Sequence, residues 1–156
     1  MRLAYVVALT LALAFTAQQT ALAQQPSNSV KLIPLSQFYS LWKASQNVSA
    51  TRAQNITFLD VRPKTLYQLS HVPDARNVPS QDARKVASQF DSRKRRVDPT
   101  KAVACYCTMS STAVAACNEF AKLKAYSKVN VYALNASFSD WVVAKYPVEK
   151  SGKAGH

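Results

Sequence analysis

Glycine is nearly absent from this chain of 156 residues: it has two, Gly152 and Gly155, both in the C-terminal tail. No turn or loop before residue 152 can therefore use the positive φ that glycine adopts freely. Histidine is equally scarce, since His71 and His156 stand alone, and no C-x-x-C pair occurs. The sequence therefore predicts no metal site and no cofactor.

A charge-free apolar run at 3–17 follows Arg2 and precedes the small-residue pattern Ala21-Leu22-Ala23. This order is typical of a secretory signal peptide over residues 1–23, with Gln24 as the first mature residue. An uncleaved membrane anchor is the alternative, but the run is short for a membrane span. We therefore expect cleavage after Ala23, a periplasmic or secreted domain, and no membrane attachment afterwards.

Acidic residues are also few: the chain has 8 Asp and Glu and 20 Lys and Arg, which gives a formal net charge of +12. Removal of Arg2 with the signal peptide lowers this charge by one. Such a balance attracts anions: a small anionic substrate, an acidic protein partner or anionic lipid. A simpler interpretation is that these charges lie on a solvated surface, and that the basic run at 93–96 is a solvated loop. Export and the lack of interleaved basic and aromatic residues argue against nucleic acid.

The stretch 102–126 combines a buried strand and an amphipathic helix around one cysteine. The strand is predicted at 102–107 because it is short and apolar, and either Ser110 or Ser111 is expected to cap the helix. The apolar stripe of that helix is Val114, Cys117, Phe120 and Ala121. Cys107 thus lies at a strand-to-helix turn, where free backbone N–H groups and the helix dipole favour a thiolate. An inert, packed cysteine is the alternative.

Three cysteines leave at least one thiol unpaired, even in the oxidising space that export implies. Cys105 and Cys107 are expected to point to opposite faces of the strand, and a bond between them would be strained. Cys107 could pair with Cys117 only if the loop bends back. A redox pair of these two cysteines is therefore a further, less favoured function.

Strands alternate with helices along the rest of the chain. Strands are predicted at 56–61, 76–78 and 128–134, and helices at 36–42, 63–69, 81–90 and 138–143. This alternation predicts a single α/β domain with a central parallel sheet and helices on both faces. Ligands bind outside the carboxyl ends of such strands, which places Asp60 and Arg62 on the same rim as Cys107.

Four segments of the chain resemble the rhodanese-like (sulfurtransferase) domain family, in the family's order. They are F-L-D-V-R at 58–62, the turn at 67–79, A-C-Y-C-T-M-S-S-T-A at 104–113, and the closing segment at 129–148. The resemblance places a rhodanese-like domain at 35–149. A signal peptide (1–23) and a mature N-terminal segment (24–34) precede it, and a tail (150–156) follows.

The resemblance implies that Cys107 is a catalytic cysteine that takes sulfane sulfur from a donor such as thiosulfate. It would hold this sulfur as a persulfide and pass it to a thiol acceptor, either a protein or a small molecule. Asp60 and Arg62 would support the site, with Arg62 chiefly a structural partner of Asp60. The substrate-binding loop would consist of Thr108, Met109, Ser110, Ser111 and Thr112.

The loop departs from the family pattern, because Ser110, Thr112 and Ala113 stand where many active members have Gly, Arg and Ser. These departures keep a second function open: a non-catalytic binding module that docks an acidic partner. The related phosphatase loop, H-C-x5-R, fits poorly, since Tyr106 and Ala113 occupy its His and Arg positions. In the turn, Asp74 replaces a family glycine.

Overall fold

The computed structural model describes residues 29–46, 56–89 and 97–151. The predictions for the signal peptide at 1–23 and the basic run at 93–96 lie outside these residues. Within the described ranges, no helix has the length and apolarity needed to cross a membrane. The same ranges contain no group of His, Cys, Asp and Glu side chains arranged to hold a metal ion.

A parallel sheet of five strands forms the centre of the described residues, in the order β1-β5-β4-β2-β3. The strands are β1 (Lys31–Ile33), β2 (Ile56–Asp60), β3 (Arg76–Asn77), β4 (Ala102–Tyr106) and β5 (Val131–Leu134). Four of them coincide with predicted strands, whereas β1 lies ahead of the predicted domain start at Leu35. The middle strand, β4, ends immediately before Cys107.

The helices are α1 (Leu35–Ser45), α2 (Lys64–Leu69), α3 (Ala83–Ala87), α4 (Ser110–Ala121) and α5 (Phe138–Val143). The helix predicted at 81–90 is shorter than expected, since a 3-10 turn at Ser80–Asp82 leads into α3. The prediction that Ser110 or Ser111 caps α4 is wrong. Met109 precedes α4 without a side-chain capping bond, so both serines lie inside the helix. Pro34 likewise precedes α1 without such a bond.

Each face of the sheet buries its own hydrophobic cluster. Side chains of α3 and α4 cover the face that carries Val103 and Cys105, and side chains of α1 and α5 cover the face that carries Ala104 and Tyr106. This division follows from β-strand geometry, in which successive side chains point to opposite faces. The prediction of an α/β fold with helices on both faces is confirmed.

Cys105 and Cys107 belong to the same hydrophobic cluster. The prediction that they point to opposite faces was wrong, because residues two apart in a strand share a face. Cys105 forms a disulfide with Cys117, with Cα atoms 6.0 Å apart, and this bond joins β4 to α4. Cys107 is the free thiol, so the considered pairing of Cys107 with Cys117 is not formed.

Candidate functional site

Cys107 directly follows β4 and is held by contacts with two helices. Its carbonyl oxygen accepts a hydrogen bond from the Phe138 amide of α5 at 2.9 Å. Its side chain is 4% exposed and packs in the cluster that includes Ala113 of α4. Sγ lies 3.8 Å from Oγ1 of Thr108, a polar neighbour. The thiol is therefore nearly buried, at the mouth of the strand-to-helix loop.

The loop after Cys107 presents backbone donors that have no internal partner. The first backbone bond of this region runs from the Ala113 amide to the Met109 carbonyl, at 3.3 Å. Among the described residues, none of the five amides from Thr108 to Thr112 donates to a backbone carbonyl. The last three of these amides form the first turn of the twelve-residue α4, where the helix dipole is positive. These amides are thus available to an anionic group bound at the loop.

Asp60 and Arg62 form a buried ion pair at the end of the neighbouring strand, β2. Asp60 is 0% exposed and Arg62 is 4% exposed. Nε of Arg62 lies 2.9 Å and 3.0 Å from the two carboxylate oxygens, and Nη2 also donates to the Ser70 carbonyl at 2.6 Å. The guanidinium lies 3.8 Å from the centre of the Phe138 ring. The structure thus places Arg62 as the predicted structural partner of Asp60.

Tyr106 connects this ion pair to the turn that follows α2. Its hydroxyl oxygen accepts a hydrogen bond from the Val72 amide at 3.0 Å, and its ring stacks on Phe138 at 5.6 Å. Burial raises the pKa of Tyr106 well above its ordinary value, and the charge of Asp60 raises it further. The phenol is therefore neutral. Sequence reasoning missed Tyr106 and Phe138 as site residues, although Tyr106 directly precedes Cys107 and Phe138 lies in the closing segment at 129–148.

His71 fastens the turn to the C-terminal segment. Its Nδ1 lies 2.8 Å from the Tyr67 carbonyl and its Nε2 lies 2.8 Å from Oε1 of Glu149. The backbones of His71 and Glu149 also exchange two hydrogen bonds of 2.9 Å each, and the Tyr67 ring stacks on the imidazole. The imidazole thus contacts both a backbone carbonyl and a carboxylate.

The predicted site residues meet at one edge of the sheet. Cys107 and the loop at 108–112 extend β4, while Asp60 and Arg62 end β2. The two strand ends are tied by the hydrogen bond from the Val61 amide to the Tyr106 carbonyl, at 3.0 Å. Among the described residues, the Arg62 side chain contacts Asp60, Ser70 and aromatic rings, and it makes no hydrogen bond to Cys107. The thiol faces the α4 side of the sheet, whereas the guanidinium packs on the Phe138 side.

The profile of the Rhodanese-like domain family matches residues 43–144, which is more than half of the chain. The chain therefore belongs to the rhodanese-like domain family. None of the curated proteins matches it. The family resemblance expected from the four sequence segments is thus confirmed.

Several solved structures share the fold. The Rhodanese-like domain of the Alr3790 protein from Anabaena is 19% identical, with 80% of this chain and 85% of that chain covered and a TM-score of 0.55. The BH2092 protein from Bacillus halodurans is 20% identical over 78% and 77% of the chains, with a TM-score of 0.57. RPA3614 from Rhodopseudomonas palustris, described as a possible tyrosine phosphatase, is 14% identical over 80% and 88%, with a TM-score of 0.59. At these identities the likeness concerns the fold alone.

Proposed function

We propose that this protein is a sulfurtransferase that carries sulfane sulfur on Cys107. The Cys107 thiolate attacks the outer sulfur of a donor, the donor's bond to that sulfur breaks, and the remainder leaves with the electron pair. A thiol acceptor then attacks the outer sulfur of the persulfide, which restores the Cys107 thiolate. The observation that carries this proposal is a free thiol followed by five backbone amides without internal partners.

The chemistry of the loop supports a persulfide at this position. The terminal sulfur of a persulfide carries negative charge, and backbone N–H groups without partners at a helix start stabilise such charge without a cation. Covalent catalysis by a thiolate needs no metal. Thr108 adds a hydroxyl near the sulfur. The buried ion pair of Asp60 and Arg62 would act by holding the adjacent strand end in place.

Export of the domain is also part of the proposal. Residues 1–23 have the composition of a cleaved signal peptide, and the Cys105–Cys117 disulfide suits an oxidising compartment. The acceptor would then be a small thiol or a protein thiol of the periplasm or of the extracellular space. Detection of a mature N-terminus at Gln24 by mass spectrometry would support export; an intact Met1 on the cellular protein would contradict it.

Mass spectrometry tests the reaction directly. After treatment with thiosulfate or polysulfide, the peptide that contains Cys107 should gain about 32 Da, the mass of one sulfur atom. The Cys107→Ser variant is the matched control, because Cys105 and Cys117 remain paired with each other. Failure of Cys107 to gain sulfur from either donor would contradict the proposal.

A non-catalytic binding module is the second function, and the 4% exposure of Cys107 is the observation that favours it. In that case an acidic partner would dock on the basic surface and the thiol would only pack. Binding of such a partner would survive Cys107→Ser, and the wild type would transfer no sulfur. Phosphate transfer is not proposed, because position 113 of the loop is Ala.

A further inference from the structure

We infer that the domain docks on anionic lipid surfaces through the edge of the sheet opposite Cys107. Five lysines in the segments that lead into the strand starts define this edge, which we call the basic edge: Lys31, Lys101, Lys122, Lys124 and Lys128. The inference goes beyond the proposed function, because the basic edge contains no residue of the Cys107 site. The contact is peripheral and electrostatic, in contrast to the expectation that the cleaved domain has no membrane attachment.

The parallel sheet brings these lysines to one side of the molecule. Because all five strands run in the same direction, their starts share one edge, and Cys107, which follows the end of β4, lies at the other. β1 begins at Lys31, and Lys101 directly precedes β4. The remaining three lysines lie between the end of α4 and the start of β5.

Hydrogen bonds hold the segments of the basic edge against one another. Nζ of Lys31 donates to Oδ1 of Asn130 at 2.8 Å, and the Asn130 carbonyl accepts from the Val103 amide at 3.0 Å. The Tyr126 hydroxyl donates to the Val97 carbonyl at 3.2 Å. The backbone of β1, the start of β4 and the segment before β5 are therefore fixed relative to one another, so the lysines form one surface.

Most of the charge on the basic edge is uncompensated. Four of its lysines form no ion pair within the described part of the chain: Lys31, Lys101, Lys124 and Lys128. Lys122 is paired with Glu119 at 2.8 Å. Besides Glu119, the acidic residue in these segments is Asp98, whose carboxylate accepts from the Thr100 amide at 2.9 Å. The edge thus presents a positive field to solvent.

The composition of the basic edge favours a lipid surface over a protein partner. Protein interfaces are depleted in lysine and depend on buried aromatic and arginine side chains. The segments at 97–101 and 122–130 contain no arginine, and their one aromatic residue, Tyr126, is 2% exposed. An anionic bilayer instead attracts flexible ammonium groups without a shaped pocket, and each lysine near its surface raises the affinity about fivefold.

Docking at the basic edge leaves Cys107 facing solution. β4 separates the two edges, and the five residues from Ala102 to Cys107 span about 16 Å at the rise of a strand. Acidic residues lie on the Cys107 edge, with Asp82 in the turn after β3 and Asp140 in the first turn of α5. An anionic surface repels these carboxylates, so the charge distribution favours the same orientation.

Vesicle sedimentation tests the inference. Full-length protein is mixed with vesicles of phosphatidylcholine alone or of equal parts of phosphatidylcholine and phosphatidylglycerol. At about 0.1 M salt the partition coefficient should be at least about tenfold higher for the anionic vesicles, and most of this difference should disappear at about 0.5 M salt, where the charges are screened. Equal binding to both kinds of vesicle at low salt would overturn the inference.

Two triple variants with the same net charge then locate the contact. Lys31→Gln, Lys124→Gln and Lys128→Gln together should weaken binding to the anionic vesicles about a hundredfold. The control removes the same charge at three exposed positions outside the basic edge and should weaken binding less than about fivefold: Lys64→Gln, Lys145→Gln and Lys150→Gln. Losses of equal size would show that net charge alone drives binding and would overturn the inference. If the first triple variant does not fold, its exposed pair Lys124→Gln and Lys128→Gln should lose about 25-fold.

A fluorescent probe tests the orientation. In the Cys107→Ser background, a polarity-sensitive fluorophore is attached at Ser127→Cys, beside Lys128, or at Ser111→Cys, in the loop on the opposite edge. On anionic vesicles the emission of the probe at 127 should shift to the blue, and that of the probe at 111 should not. A blue shift at 111 alone would overturn the inference. So would retention on immobilised polyglutamate without binding to vesicles, which would assign the basic edge to an acidic protein partner.

Discussion

Two residues carry backbone geometry that glycine normally supplies. Asp74 and Lys145 have φ angles of 62° and 58°, in a chain whose two glycines lie at 152 and 155. For a residue with a Cβ atom this conformation costs about 1–2 kcal/mol. Asp74 follows Pro73, whose carbonyl accepts a hydrogen bond from the indole of Trp42 at 3.1 Å. That contact holds the turn in which the family resemblance expects glycine.

Lys145→Gly should stabilise the protein by about 1 kcal/mol. Lys145 is the second residue after α5, and its amide donates to the Val142 carbonyl at 2.9 Å. The Tyr146 amide donates to the Trp141 carbonyl at 3.2 Å. These bonds require the positive φ, which glycine adopts without strain. Urea unfolding measures the gain. Lys150→Gly, at a position without positive φ, should give none, and an equal gain there would refute the explanation.

Asp60→Asn should lower the free energy of unfolding by about 3 kcal/mol. The substitution leaves the guanidinium of Arg62 buried without its counterion. Lys122→Met removes the surface pair of Lys122 with Glu119, and it should cost less than about 1 kcal/mol. Denaturant titrations of both variants give the comparison. Equal losses of unfolding free energy in the two variants would show that burial does not increase the contribution of the Asp60–Arg62 ion pair to stability.

Asp140 predicts a pH dependence of stability at the start of α5. Hydrogen bonds from the Ser137 amide and hydroxyl lower the pKa of Asp140 below its ordinary value. Since the folded pKa is the lower one, the stabilisation is present above about pH 4 and is lost as the pH falls through the folded pKa. Asp140→Ala should therefore destabilise the protein at pH 7 but much less at pH 3.

Thermal unfolding across this pH range measures the difference between Asp140→Ala and the wild type. Ser139→Ala, an exposed and uncharged neighbour, is the control and should follow the wild type at every pH. A difference for Asp140→Ala that stays constant between pH 7 and pH 3 would contradict the assignment.

At the scale of secondary structure, one covalent bond organises the elements around the site. The Cys105–Cys117 disulfide joins β4 to α4 across the loop that contains Cys107. Sγ of Cys117 also lies 3.0 Å from the Tyr132 carbonyl of β5. A disulfide sulfur has no proton to donate, so this is a close packing contact. The loop at 108–112 is thus fixed at both ends.

Reduction of this disulfide should lower the free energy of unfolding by about 3 kcal/mol, because it frees a loop of twelve residues in the unfolded chain. The comparison is made in Cys107→Ser, which excludes exchange with the free thiol, with and without a dithiol reductant. The control adds Cys105→Ala and Cys117→Ala to this variant, and its free energy of unfolding should be the same with and without the reductant. Equal stability of the oxidised and reduced protein would contradict a structural role for the bond.

At the scale of the whole molecule, the sheet is completed by a strand that lies before the predicted domain. β1 pairs in parallel with β5, and the Asn135 amide donates to the Ile33 carbonyl at 2.8 Å. Ile33 is the one buried side chain of β1. With three residues and a single buried position, β1 has no alternation that sequence analysis could detect.

A chain that begins at Leu35 should therefore be less stable than one that begins at Ser29 by at least about 2 kcal/mol, the value of burying one isoleucine. The loss includes the ladder bonds to β5, whose edge would be exposed. Urea unfolding of the two truncated chains measures the difference. Indistinguishable stabilities would mean that β1 contributes nothing to the fold.

The local elements were predictable because each depends on nearby residues. The helix at 138–143 and the strands at 56–60 and 102–106 have apolar patterns strong enough to be read directly. The cap positions were not predictable, since Pro34 and Met109 precede their helices without any side-chain bond. The cysteine pairing was missed because Cys105 and Cys107 were assigned to opposite faces of the strand. Residues two apart in a strand lie on the same face.

The sequence by itself determined the α/β fold, the family, and the position of Cys107 between a strand and a helix, because these follow from apolar periodicity and from four ordered motifs. Only the tertiary structure decided that Cys105 takes Cys117 as its partner and that Arg62 is bound to Asp60, Ser70 and Phe138. These contacts join residues that the fold brings together in space, so no local pattern records them. They leave one free thiol beside unpaired amides.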